Sequence, residues 1–261
     1  MNILDTIIEY KKIEVARNKQ LLSAEKLQLQ SDFNRPVFSL KHFLLDESKT
    51  GIITEFKRKS PSKGIINDSA DVIQVTRAYT NHGASCLSIL TDSNFFGGLA
   101  DDLRKARVNE IPILRKDFII DEYQVTEARA IGADVILLIA ACLKPNEVQD
   151  LAIFAKQLKL EVLLEIHCEE ELEHICDEID FVGVNNRDLK TFTVDINRSI
   201  ELSKKIPHDK IKIAESGIDK PETIKIFKEA GFKGFLMGER FMKEKDPGEA
   251  FKAFVQKLKQ Q

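Results

Sequence analysis

Val135-Ile136-Leu137-Leu138-Ile139 is apolar at every position. A strand with one wet face alternates apolar and polar residues, so this run predicts a parallel strand buried on both faces. Outward from it, one unit repeats in pattern though not in residues: an apolar strand, a polar loop, an amphipathic helix, then often a glycine. The spacing predicts strands at Ile52–Lys57, Cys86–Leu90, Ile113–Lys116, Val135–Ile139, Val162–Glu165, Phe181–Asn185, Ile211–Ala214 and Gly234–Met237. Helices are predicted near 70–82, 99–107, 121–131, 145–158, 169–178, 196–205, 220–230 and 247–258. Gly83, Gly132 and Gly231 stand where a helix must end in left-handed conformation. Asp219-Lys220-Pro221-Glu222 and Asp246-Pro247-Gly248-Glu249 read as helix starts, with Asp as cap and Pro in the first turn. Strand–helix units at ~25-residue spacing predict an α/β fold of the (β/α)8 TIM-barrel type. An open doubly wound sheet is the rival, but the first strand is not followed by a GxGxxG turn.

Upstream of the first strand, residues 2–30 carry Ile3, Leu4, Ile7, Ile8, Ile13, Val15, Leu21 and Leu22 among many charges, with no Gly or Pro. That spacing predicts one long amphipathic helix, and a short helix is expected over Phe38–Asp46 after Pro36. No strand precedes them, so 1–46 reads as an N-terminal helical extension of a single domain spanning 1–261.

The chain is 261 residues long, 43% hydrophobic and 31% charged, enough for one sizeable core. A net charge of −3 argues against a general nucleic-acid surface, although an anionic small substrate remains compatible with local cations. No apolar run approaches the ~20 residues of a membrane span. The N-terminus lacks the basic-then-apolar order of a signal peptide. Cys86, Cys142, Cys168 and Cys176 form no CxxC pair, which fits free thiols in a reducing cytoplasm. His167, Cys168, His174 and Cys176 fall within ten residues. On a helix the two histidines would share a face and the cysteines would not, a poor match to the paired ligands of zinc sites.

In a barrel of this kind chemistry collects at the C-terminal ends of the strands. Those ends carry Glu55 and Lys57, Thr91-Asp92, Lys116-Asp117, Glu165-Ile166-His167, Asn185-Asn186-Arg187, Glu215-Ser216-Gly217 and Gly238-Glu239. Glu55 and Lys57 have period-two spacing and project to one face, followed by the Ser60-Pro61-Ser62 loop. Ser216-Gly217 and Gly238-Glu239 occupy the customary phosphate position after strands seven and eight. Asn94-Phe95-Phe96-Gly97-Gly98 offers aromatic surface that either walls an aromatic substrate or covers the core.

Several of these pieces are specific in their wording. Glu55-Phe56-Lys57-Arg58-Lys59-Ser60-Pro61-Ser62, Ser88-Ile89-Leu90-Thr91-Asp92 with Phe95-Phe96-Gly97-Gly98, and Leu114-Arg115-Lys116-Asp117-Phe118 resemble the indole-3-glycerol-phosphate synthase family. So do Glu165-Ile166-His167, Gly183-Val184-Asn185-Asn186-Arg187-Asp188-Leu189 and Glu215-Ser216-Gly217-Ile218. The likeness runs in order from about residue 51 to 243, and the N-terminal helix also fits. No position matching a family catalytic residue departs from the pattern.

The resemblance implies a carboxy-lyase of tryptophan biosynthesis. It would convert 1-(2-carboxyphenylamino)-1-deoxyribulose 5-phosphate to indole-3-glycerol phosphate, carbon dioxide and water. Lys116 matches the acid of ring closure and Glu165 the base, with Glu55, Lys57 and Asn185 in the same catalytic group. Ser60, Phe95, Arg187 and Glu215 match substrate-binding positions, and Ser216, Gly217, Gly238 and Glu239 the phosphate site. The division of dehydration roles among Lys57, Lys116, Glu55 and Glu165 stays open. The expected partner is an anionic aromatic sugar phosphate, with no cofactor, metal, nucleic acid or membrane, and a monomer is expected with a weak dimer as the alternative. Another phosphate-binding barrel, such as a Schiff-base aldolase using Lys57, Lys116 or Lys212, is the rival enzyme; a silent binding subunit is the rival outside catalysis.

Overall fold

The computed structural model describes residues 3–187 and 193–260. Eight parallel strands close a barrel: β1 (Ile52–Phe56), β2 (Cys86–Leu90), β3 (Ile113–Lys116), β4 (Val135–Ile139), β5 (Glu161–Ile166), β6 (Phe181–Asn185), β7 (Ile211–Glu215) and β8 (Gly234–Met237). Each pairs with its neighbour in sequence, and β1 closes on β8 with Ile52 opposite Phe235 and Thr54 opposite Met237. The β4 run shows why it carries no polar residue. Val135, Leu137 and Ile139 point inward with Ile53, Leu114, Leu163 and Ile213, while Ile136 and Leu138 point outward into the layer between strands and helices.

The extension begins with α1 (Ile3–Leu21), α2 (Ala24–Gln28) and α3 (Leu40–Leu45). The single helix expected over 2–30 is therefore two. The chain breaks at Ser23, whose backbone is extended (φ −69°, ψ 160°). The break lets α2 turn onto the barrel, where Leu27 joins Val15 against Tyr123 and Ala130. Further on, Arg35 donates to Asp134 Oδ1 at 2.7 Å, just before β4. Ser39 Oγ and the Leu40 amide donate to the Glu161 carboxylate at the start of β5. Leu40 and Leu44 then enter the interior cluster. The extension is thus a strap from the mouth of the barrel to its floor, ending as the floor's plug.

The outer helices are α4 (Val72–Asn81), α5 (Ser93–Phe96), α6 (Ala100–Ala106), α7 (Glu122–Ala130), α8 (Pro145–Gln157), α9 (Ile196–Ser203), α10 (Pro221–Glu229), α11 (Glu239–Met242) and α12 (Pro247–Leu258). Gly83, Gly132 and Gly231 take φ of 96°, 98° and 86°, the left-handed ends that the sequence predicts. Asp246 caps α12 by accepting from the Glu249 amide, whereas Lys220, not Asp219, is the residue before α10. The helix expected at 169–178 is a short 3-10 segment, Glu169–His174, rather than an α-helix. His174 ties its end down by contacts with the carbonyls of Glu171 and Leu143.

Candidate active site

The strand ends converge on one cavity of about 570 Å³. Glu55, Lys57, Ser60, Lys116, Glu165, Asn185, Arg187, Glu215, Ser216, Gly217, Gly238 and Glu239 all line it. Phe95 does not: its ring meets Tyr10 edge-on at 5.8 Å, and Phe96 takes the lining position, 6.0 Å from Phe118. Asp92 explains the swap. It caps α5 by accepting from the amides of Phe95 and Phe96, and the turn of that helix sends the two rings different ways. Asp188 and Leu189 lie outside the described residues.

Two lysines hold the centre through three ion pairs. Lys57 Nζ lies 2.6 Å from Glu55 Oε1. Lys116 Nζ lies 2.8 Å from Glu165 Oε2 and 3.5 Å from Glu215 Oε2. Asn185 Nδ2 donates to the other Glu165 oxygen at 2.9 Å, and Asn185 Oδ1 accepts from the Arg187 amide. His167 Nε2 sits 3.2 Å from Glu165 Oε1, with Nδ1 3.4 Å from Glu171 Oε2.

Burial and charge pull these groups in opposite directions. Burial depresses the Lys116 ammonium, but Glu165, Glu215 and Glu55 outweigh it and its pKa is raised. An amine so firmly protonated is a poor imine former, which counts against the Schiff-base alternative. Burial pushes Glu165 up, but Lys116 and His167 hold its carboxyl well below the usual range. Glu215 goes the other way: burial and the nearby Glu165 push it up to about 8. Burial lowers His167, yet its contacts with Glu165 and Glu171 raise it to about 9. At neutral pH the site therefore holds one ionised and one protonated glutamate side by side, with Lys116 between them.

Two glycines make room for these carboxylates. A Cβ on Gly183 would stand 2.1 Å from Glu215 Oε1, and one on Gly238 would stand 2.7 Å from Glu55 Oε1. Gly238 thus serves the Glu55 side chain as well as any phosphate. Ser216 and Gly217 both have positive φ, 65° and 70°, and Asn186 Nδ2 holds the turn by donating to the Ser216 carbonyl at 2.6 Å. Such backbone is uncommon outside glycine and concentrates at functional sites.

Over the mouth a small hairpin pairs Lys59–Ser60 with Gly64–Ile65 and carries Ser60 and Lys63. Arg58 anchors its base on Asp102 Oδ2 at 2.5 Å, and Lys59 Nζ donates to the Asn94 carbonyl. Lys63 and Arg187 approach Glu239 from two sides, at 3.8 and 3.7 Å. Sequence reading missed the opposite wall, where Ile3, Leu4 and Ile7 of α1 join Phe96, Phe118 and Ile139. Their helical spacing was the available signal. Lys212 lies away from the cavity, donating to the carbonyls of Ser203 and Ala230.

A family model described as indole-3-glycerol phosphate synthase matches residues 4–254. A protein of that name from Bacteroides thetaiotaomicron is 49% identical over 259 residues, covering 98% of this chain and 99% of its own. One from Bordetella pertussis is 40% identical over 252 residues, covering 95% and 96%. Among solved structures, the alpha subunit of tryptophan synthase from Legionella pneumophila superposes with a TM-score of 0.59 at 15% identity, covering 85% of this chain and 97% of that one. KGPDC from Streptococcus mutans gives 0.60 at 14%, covering 80% and 97%. Similarity at that level bears on the fold alone.

Proposed function

The chain belongs to the indole-3-glycerol phosphate synthase family, and from that membership we propose how its cavity carries the reaction. The activity is that of a carboxy-lyase in tryptophan biosynthesis, acting on an anionic sugar phosphate. The substrate, 1-(2-carboxyphenylamino)-1-deoxyribulose 5-phosphate, is aromatic at one end, phosphorylated at the other and ketonic between. The cavity has the same polarity. The aromatic ring lies against Ile3, Leu4, Ile7, Phe96 and Phe118, and the phosphate takes the Ser216-Gly217 turn and Gly238, near Lys63. Arg187 and Ser60 add polar contacts along the way, and Glu239 holds Lys63 and Arg187 in place.

That orientation brings the ketone to Lys116. As the aromatic carbon attacks, the ketone oxygen becomes an alkoxide, basic enough to take a proton even from a strongly held ammonium. Loss of carbon dioxide returns the bonding electrons to the ring and restores aromaticity. Dehydration then needs a base and an acid. Glu165, kept ionised and oriented by Asn185, is the base; Lys57, steadied by Glu55, is the acid for the departing hydroxyl. Glu215, protonated at neutral pH, spares the Lys116 ammonium a further full negative charge beside that of Glu165.

The placement of Lys116 between Glu165 and Glu215 carries this reading. We propose the monomer as the active unit, with a weak dimer as the alternative. Among the described residues no helix is long and apolar enough to cross a membrane, and a cytoplasmic location for a chain with four free cysteines completes the proposal. Purified protein given the carboxyphenylamino-deoxyribulose phosphate should release indole-3-glycerol phosphate, followed by indole fluorescence. Absence of product from folded protein would overturn the assignment.

A further inference from the structure

Lysine is a costly residue to bury, because desolvating an unpaired ammonium costs several kcal/mol. Lys11 on α1 is nevertheless 1% exposed. Its Nζ lies 3.0 Å from Asp92 Oδ2, 3.0 Å from Asp117 Oδ1 and 2.9 Å from Glu14 Oε2. Burial lowers the ammonium's pKa, but Asp117 and Asp92 more than reverse this and keep it charged.

Each distant partner has a second task. Asp92 caps α5 and so sets the direction of Phe96. Asp117 directly follows Lys116, and its other oxygen accepts from Thr91 Oγ1 at 2.5 Å and from Arg115 at 3.1 Å. One ammonium therefore joins α1, the loop after β2 and the loop after β3. These three pieces supply most of the apolar wall: Ile3, Leu4 and Ile7 from the first, Phe96 from the second, Phe118 from the third, with Ile139 of β4 beside them.

We infer that Lys11 is a positioning residue for the substrate's aromatic end, fixing α1 across the mouth so that the wall exists as one surface. The inference rests on the reading above that this wall receives the aromatic ring. Its kinetic signature follows from what the wall touches. The ring is held alike before and during ring closure, so loosening the wall weakens ground state and transition state together, raising KM and sparing kcat. Lys116 keeps its partners Glu165 and Glu215, which stand on other strands.

The test uses full-length protein with Lys11→Met, and with Lys11→Met combined with Asp92→Asn. The double variant leaves the cluster's net charge unchanged, and asparagine still caps a helix. Steady-state kinetics per folded molecule, thermal melting and amide exchange of residues 3–21 are measured together. We expect KM to rise by about tenfold or more in both variants, the size expected for lost apolar contacts, with kcat within about threefold. Exchange in α1 should accelerate in both, while the double variant regains melting temperature. A purely structural lysine would let KM recover with melting temperature in the double variant, and that result overturns the inference. A fall in kcat as large as the fall in kcat/KM also overturns it. Should the single variant not fold, the double variant decides alone. A wild-type chain without turnover would remove the functional reading and this inference together; an active wild type with unchanged KM in the variants removes only this one.

Discussion

The floor and the mouth of the barrel both bury carboxylates, and they treat them differently. At the floor Asp134 uses its whole carboxylate: Oδ1 accepts from Arg35 and the Phe38 amide, and Oδ2 from Arg107 and the Ile113 amide. At the mouth Glu215 is equally buried, yet its Oε1 accepts no hydrogen bond and its Oε2 is 3.5 Å from Lys116. A buried charge with every lone pair engaged ties segments together. A buried carboxyl group with an oxygen left unpartnered, as in the largely protonated Glu215, raises the energy of the free protein and leaves something for a substrate to satisfy. The floor is where the carboxylates hold the fold; the mouth is where they are kept available.

Lys116→Met is the largest expected breach of that contrast. It should cut turnover by at least ~10²–10⁴, the scale of one general acid, in a chain that still folds. Rapid quench at saturating substrate should find no ring-closed intermediate. Normal ring closure would remove Lys116 from the first step.

Asp134→Ala is the mirror experiment. Stripping a carboxylate from buried guanidinium partners typically costs ~3–5 kcal/mol, read by urea unfolding. The folded fraction should keep kcat within about twofold, since the mouth is untouched. A large loss of kcat there would mean that floor and mouth are not separable.

Gly238→Ala should be smaller and confined to the mouth. Its methyl group would stand 2.7 Å from Glu55 Oε1 and push that carboxylate off Lys57. Misplacement on the order of 1 Å costs up to ~10² in rate, so kcat/KM should fall by about tenfold to a hundredfold with stability nearly intact. An unchanged kcat/KM would show that Glu55 is not required where it stands.

The smallest effect sharpens the contrast through pH. Glu215 titrates at about 8 in the folded chain against an ordinary 4.5. The unfolded chain therefore gives up this proton first as pH rises, so the group's contribution to stability is full below 4.5 and declines until about 8. His167, at about 9 against 6.5, adds a decline of the same sign over its own window. Glu215→Gln should flatten the first decline and leave the second. At pH 9 its melting temperature should exceed wild type by ~2–4 °C, about 1 kcal/mol for a chain of this size, while activity falls. A variant that melts lower than wild type at pH 9 would show that Glu215 supports the fold after all.

Much of this was legible in the sequence because it is local. An all-apolar pentapeptide such as Val135–Ile139 declares a strand with two dry faces, and a polar residue closing an apolar run, as Lys116 and Glu165 do, declares a strand end. What failed to show depends on partners far along the chain. Lys11 and Lys12 read alike as solvated charges on one helix, and only the approach of Asp92 and Asp117 makes the first a buried one. Phe95 and Phe96 are likewise indistinguishable until Asp92 caps the turn between them. The break at Ser23 has no glycine or proline to announce it, because the pull comes from the Leu27 contact with α7. The Gly183 requirement comes from Glu215, a side chain of the next strand.

The strap also sets a schedule for the nascent chain. α1 leaves the ribosome before any barrel strand, and Asp92, Asp117, Asp134 and Glu161, which receive it and its successors, are made later. β1 in turn cannot finish its pairing until β8 arrives. The helical extension therefore waits outside the tunnel while the barrel is made, amphipathic and without a dock. A domain that folds as a unit keeps such a segment exposed longest, and it is these first helices that a holdase chaperone would meet.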